Sequence, residues 1–143
     1  MKNIFRSLNQ IYYLIYTLII LLTILGYFLN MNNLLSVDIG KSTGIVFLSV
    51  QVLITVFAVV YFGFFLYRVT KLKANINEKN KEAIYHNIAN IRLYLIGVSL
   101  LAGVLCLYLV RSEIVLYQIA ISAVLLILSK PKESIIDDIL TEN

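Results

Sequence analysis

Four long stretches of this chain carry no charged side chain: Ile11–Leu29, Gly44–Tyr67, Leu93–Val110 and Ile114–Leu128, of 19, 24, 18 and 15 residues. Every Asp, Glu, Lys, Arg and His lies outside them. A helix needs about 20 apolar residues to cross a hydrocarbon core of ~30 Å. Three of the runs reach or nearly reach that length, and the fourth falls short. The expected fold is an all-α integral membrane domain over residues 1–143, with four transmembrane helices at about 11–29, 44–67, 93–110 and 113–129. Charged residues make up 14% of the chain and the mean hydropathy is +0.87, whereas soluble domains carry about 25% charged residues. The spans and their links use nearly all of the chain, so no space remains for a soluble catalytic domain.

The cations outside the runs are unevenly shared. Lys2 and Arg6 precede the first run; Arg68, Lys71, Lys73, Lys79, Lys81 and Arg92 lie between the second and third; Lys130 and Lys132 follow the fourth. These ten fall on one side of a four-span topology, and only Lys41 and Arg111 on the other. Short loops rich in Lys and Arg stay in the cytoplasm, so both termini are expected inside. The net charge of +4 therefore reads as a topology signal with anionic lipid at the cytoplasmic face, and not as a nucleic-acid footprint. The first run exceeds the 7–15 residues of a signal-peptide core and lacks a small-residue cleavage site after it, which favours a retained span. An Ile-, Asn- and Lys-rich chain fits a bacterial plasma (inner) membrane.

Helical spacing continues beyond the runs. Ile4, Phe5, Leu8, Ile11, Tyr12 and Ile15 extend the first helix toward the N-terminus. Ile84, Ile88, Ile91 and Leu95 extend the third helix by about three turns. The second helix extends through Lys73, and with a turn near Asn75–Asn80 the pair forms a helical hairpin protruding into the cytoplasm. Ser42 or Thr43 is expected to cap the second helix and Ser112 the fourth, with Glu113 on the positive end of the dipole. Pro131 ends the fourth helix near Ser129. The tail forms a short amphipathic helix with Ile135, Ile136, Ile139 and Leu140 on one face, and Ser134 with Asp137 resembles a capping box.

Few residues offer chemistry. Gly40-Lys41-Ser42-Thr43 resembles the end of a phosphate loop, but Leu35 stands where that motif needs glycine. His86 is the only histidine and Cys106 the only cysteine, which leaves no metal set, disulfide or redox pair; His86 is expected on the solvated surface and Cys106 in packing. Glu113, Asp38, Arg111 and Lys41 are the only outward ionisable groups, and nothing gathers them into a catalytic site. Ser99, Ala102, Gly103 and Cys106 form a stripe of small residues suited to close helix packing. Thr23, Gln51, Thr55, Gln118 and Ser122 form a neutral polar cluster, with Gln51 and Gln118 roughly 10 Å and 7 Å below the outer boundary. Tyr61–Tyr67 is an aromatic block suited to an interfacial belt.

In size and span number the chain resembles the small multidrug exporters. That family works through a carboxylate in its first membrane helix, and Ile11–Leu29 has none. A looser likeness is to small four-span accessory subunits of membrane complexes, such as the F-type ATP synthase subunit I family. The expected function is non-enzymatic: a membrane protein acting through helix packing as an accessory or scaffold subunit, or as a homo-oligomer, without catalytic residues, cofactor or metal. The alternative is a dimeric transporter or channel for a neutral or lipid-like solute, with Gln51, Thr55, Gln118 and Ser122 lining a wet cavity.

Overall fold

The computed structural model describes residues 2–34, 39–74 and 80–141, apart from the side chains of the last two. Over these residues the chain is helical: α1 (Lys2–Met31), α2 (Lys41–Ala74), α3 (Lys81–Val110), α4 (Glu113–Leu128) and α5 (Glu133–Thr141). Helices α1, α2 and α3 are each long and apolar enough to cross a membrane. The fourth run by itself falls short of that length. α4 passes the same test only when α5 is counted with it, as a pair bent by 65°. Three or four spans are therefore compatible with the structure.

The helices run on past the apolar stretches, as the spacing predicts. α2 continues to Ala74 and α3 starts at Lys81, extensions of about 10 Å and 18 Å beyond their runs. The turn expected near Asn75–Asn80 lies outside the described residues except for Asn80, which is left-handed with φ 79°. The helix starts differ from expectation. Ser42 and Thr43 lie inside the first turn of α2, where the Gly44 amide already bonds Gly40 O at 3.1 Å. Ser134 likewise lies inside α5, whose first turn closes from Ile136 N to Lys132 O. Ser112 is the extended N-cap of α4, but its side chain makes no cap hydrogen bond. The α3–α4 link is tight because Arg111 takes a left-handed φ of 52° and its amide bonds Leu107 O.

Helix α3 is the centre. Of its most apolar window 44% is buried, against 11% for α1 and 17% for α2. It packs against α1, α2 and α4; α2 also meets α4 and α5. Three glycines explain the close approach. A Cβ on Gly97 would lie 3.0 Å from Ile15 of α1, and one on Gly103 would lie 2.9 Å from Ile119 of α4 and 3.0 Å from Gln51 of α2. Gly26 of α1 leaves room for the Tyr108 ring, whose hydroxyl then donates to Thr23 O at 2.9 Å.

The hairpin extension is not bare. Leu72, Tyr85, Ile88 and Ala89 are buried in one cluster with Leu8 of α1 and Ile136 and Ile139 of α5, and Ile84 is half-buried against it. Ile84 and Ile88, on the face that extends the third helix, pack against the chain's own first turns and tail helix. α5 is amphipathic as expected for Ile136 and Ile139, but Ile135 is 42% exposed.

Enlarging Gly103 to leucine should wedge α2, α3 and α4 apart and destabilise the protein by about 1–3 kcal/mol, the usual overpacking range. Gly63 has nothing within 4 Å of its Cβ position, so Gly63→Leu should leave the melting temperature unchanged or slightly raised. Thermal unfolding of both variants in mild detergent checks the contrast.

Candidate functional site

A line of uncharged polar groups crosses the middle of the bundle. Gln51 Nε2 of α2 donates to the Ser99 carbonyl of α3 at 2.9 Å. The Thr55 hydroxyl donates to Gln51 O at 2.9 Å and lies 3.3 Å from Ser99 Oγ, which lies 2.8 Å from Ser122 Oγ of α4. Thr55 has spent its one proton on Gln51 O, so the Ser99 hydroxyl donates to Thr55 and the Ser122 hydroxyl to Ser99. The chain of donors thus runs one way through three helices. All four residues are buried, Ser99 and Ser122 completely.

Of the expected polar cluster, Gln51, Thr55 and Ser122 meet here. Gln118 lies one turn before Ser122, buried, with its Oε1 lacking a hydrogen-bond partner. Thr23 stands apart: its side chain is exposed and its hydroxyl bonds its own helix at Ile19 O. A β-hydroxyl that can satisfy itself one turn back does not need the interior. Ser99, placed by spacing on the packing stripe, is the residue that joins the cluster. Its signal in the sequence is its type: it is the one hydroxyl among the small residues of that stripe. The rest of the stripe divides. Gly103 fits between α2 and α4, whereas Ala102 and Cys106 line an apolar cleft of about 200 Å³ with Phe47, Val50 and Ile54.

The described cations segregate by end. Arg68, Lys71, Lys73, Lys81, Arg92, Lys130 and Lys132 gather where α2 ends and α3 begins, and Lys41 and Arg111 lie at the opposite end; Lys79 is outside the described residues. Lys71 is exposed and Lys81 half-buried. Lys73 approaches Asp138 of α5 at 3.9 Å with both side chains well exposed, a pair worth at most about 1 kcal/mol. Arg68 sits 5.9 Å from the Phe64 ring.

Arg92 differs from the others in a way that charge counting does not reveal. It is 93% buried on the complement of its 7% exposure. Its guanidinium stacks 3.7 Å from the Phe65 ring centroid, and its Nη2 donates to Ser129 O at 3.1 Å. Its Nε has no partner, nor does the buried Ser129 Oγ. Arginine stays protonated in proteins, so this is a buried cation tying α2, α3 and the end of α4. Burial lifts the neighbouring Tyr85 phenol above its usual pKa, and the Arg92 charge pulls it partly back. The available signal was the adjacency of Arg92 to an apolar run and the Phe62–Phe65 spacing.

His86 is half-buried rather than solvated, with Nε2 3.5 Å from Ser7 Oγ of α1 and Asn90 Nδ2 3.3 Å away. At the opposite end, Arg111 Nη2 donates to Asn30 Oδ1 at 3.0 Å. Arg111 and Glu113 share a shallow mouth of about 340 Å³ with Asn30 and Tyr108, while Lys41 lines a separate one. Asp38 lies outside the described residues. Among the described residues no group of three or more His, Cys, Asp or Glu is placed to hold a metal. Comparison of the chain with family models, curated proteins and solved structures finds no match.

A Ser99→Ala, Ser122→Ala double-mutant cycle should give a coupling of about 0.6 kcal/mol, the mean for interhelical hydrogen bonds in membranes, and no more than ~1.7 kcal/mol. Reversible unfolding in detergent or lipid measures it. A coupling near zero would show that the two hydroxyls do not hold α3 to α4.

Proposed function

We propose that this chain is a non-enzymatic multi-pass protein of the plasma (inner) membrane, with both termini cytoplasmic, acting through helix packing as an accessory or scaffold subunit or as a homo-oligomer. The observation that carries this reading is the state of α1. It packs on α3 through Leu8, Tyr12, Ile15 and Gly26. Away from that contact, Leu14, Leu18, Leu21, Leu25 and Phe28 are 43–61% exposed, the first four recurring at intervals of four, three and four residues. That seven-residue repeat is how paired helices interlock. Within the chain Gly97 and Gly103 of α3 are already filled by Ile15, Ile119 and Gln51, whereas the leucine row of α1 is left uncovered. The inner polar groups bond each other from Gln51 to Ser122, which supports a packing role for them.

The buried, unpartnered Oε1 of Gln118 favours a second reading, a path for a small neutral solute. On that reading Gln51→Leu with Gln118→Leu abolishes flux into vesicles while the protein still folds.

The packing reading is tested on the full-length protein. A Leu21→Cys variant in a Cys106→Ala background should cross-link in membranes to a second copy or a partner. Native mass spectrometry in mild detergent should find the same assembly. Leu18→Ala with Leu25→Ala should weaken it by about ten-fold or more, the equivalent of ~1.4 kcal/mol, with the monomer's melting temperature unmoved. A lone monomer in detergent and no cross-link in membranes overturns the reading.

A further inference from the structure

At the basic end α5 folds back toward α2 and leaves a groove of about 140 Å³ between them. At ~30 Å³ per water, that volume holds roughly four to five waters, enough for a phosphate group. Among the described residues its wall carries Arg92, Lys130 and Lys132 and no acidic side chain. We propose that this groove seats the headgroup phosphate of an anionic phospholipid, with those three cations as its ligands.

Three observations carry the assignment. Among the described residues Arg92 is a buried cation without a carboxylate partner; one of its five donors reaches an acceptor, Ser129 O, and Nε reaches none. A buried charge without a counter-ion is strongly disfavoured, and phosphate is the anion whose oxygens match the guanidinium fork. Phe65 stacked on one face of the guanidinium fixes its plane. Finally, the groove is not polar all round. Phe62, Leu66 and Leu128 line it, and the last two are 52% and 62% exposed, so the polar pocket opens directly onto the apolar flank of α2 and α4. A free anion has no use for that flank, whereas a phospholipid lays the start of an acyl chain along it.

The proposal depends on the chain residing in a membrane and is independent of what α1 packs against. The test uses full-length protein in mild detergent, with phosphatidylglycerol, phosphatidylcholine or inorganic phosphate added, read by native mass spectrometry and by melting temperature. Phosphatidylglycerol should stay bound and raise the melting temperature, with phosphatidylcholine and inorganic phosphate doing neither at equal concentration. Lys130→Ala and Lys132→Ala should each lower phosphatidylglycerol affinity about five-fold and together about 25-fold. Lys71→Ala, on the exposed side of α2 outside the groove, should change it less than two-fold. Arg92→Gln should abolish retention; because Arg92 also braces Ser129, the lysine variants carry the test if that protein does not fold. Equal loss from Lys71→Ala would reduce the effect to diffuse surface attraction, and saturation by inorganic phosphate would make it a free-anion site; either overturns the proposal. The same spectra report oligomeric state, so failure of the lipid site and failure of the packing reading are told apart.

Discussion

Apolar contact between helices stabilises little when the surrounding solvent is itself apolar. On the proposed membrane setting, the middle of this molecule is under that constraint. α3 cannot rely on greasy side chains to hold three neighbours, so it uses approach distance and hydrogen bonds. Gly97 and Gly103 bring backbones close enough for Ile15 and Ile119 to fill the space a Cβ would take. Between them Ser99 links α2 to α4 through its carbonyl and its hydroxyl. A leucine at Ser99 would lose both the side-chain link and the clearance; Gly103 shares that face toward α2 and α4, while Gly97 serves the opposite face toward α1.

The basic end obeys a different rule. Beyond the apolar runs the helices carry Lys and Arg, and on the same setting they meet water, where burying a Leu or Ile side chain is worth about 1.5–3 kcal/mol. There the packing becomes that of a soluble bundle: Leu8, Leu72, Ile88, Ile136 and Ile139 form a continuous core contributed by α1, α2, α3 and α5. The short tail helix has a clear role in this scheme. Without α5, Leu72 and its neighbours would face solvent. The chain thus joins a polar-linked section to a hydrophobically driven one, and Phe65, Tyr85 and Arg92 lie where the two meet.

The physics also sorts what could be read from the sequence. Long uncharged runs specify helices by themselves, so their existence, the extension of α2 and α3, and the stop of α4 before Pro131 were all legible. Caps were less so. Ser42 and Thr43 are good capping residues, but Gly40 supplies a carbonyl one turn earlier and α2 starts at Lys41. The polar cluster was legible only for residues whose partners lie on other helices. Thr23 matches Thr55 in type and approximate depth, yet one satisfies itself locally and faces out while the other joins a buried line. Which of the two occurs depends on helix rotation, and a nearly all-apolar helix such as α2 carries no amphipathic signal to set it. Arg92 was read as one cation of a surface patch because counting charges does not reveal which one has an aromatic ring and a carbonyl waiting.

The length of α4 gives Arg92 its meaning. Sixteen residues make a helix of about 24 Å, short of a ~30 Å hydrocarbon core. On the proposed membrane setting, a crossing α4 stops short of the far boundary, and the Ser129 carbonyl at its end needs a donor there. Arg92 supplies it. The arginine is drawn inward by that carbonyl and by Phe65, and the tail lysines are drawn down with the end of α4. The end of α4 thereby brings Arg92, Lys130 and Lys132 to one groove next to apolar surface. Lengthening α4 by a turn would move Ser129 past Arg92 and disperse that charge, so the shortness of the fourth helix is the feature that builds the groove.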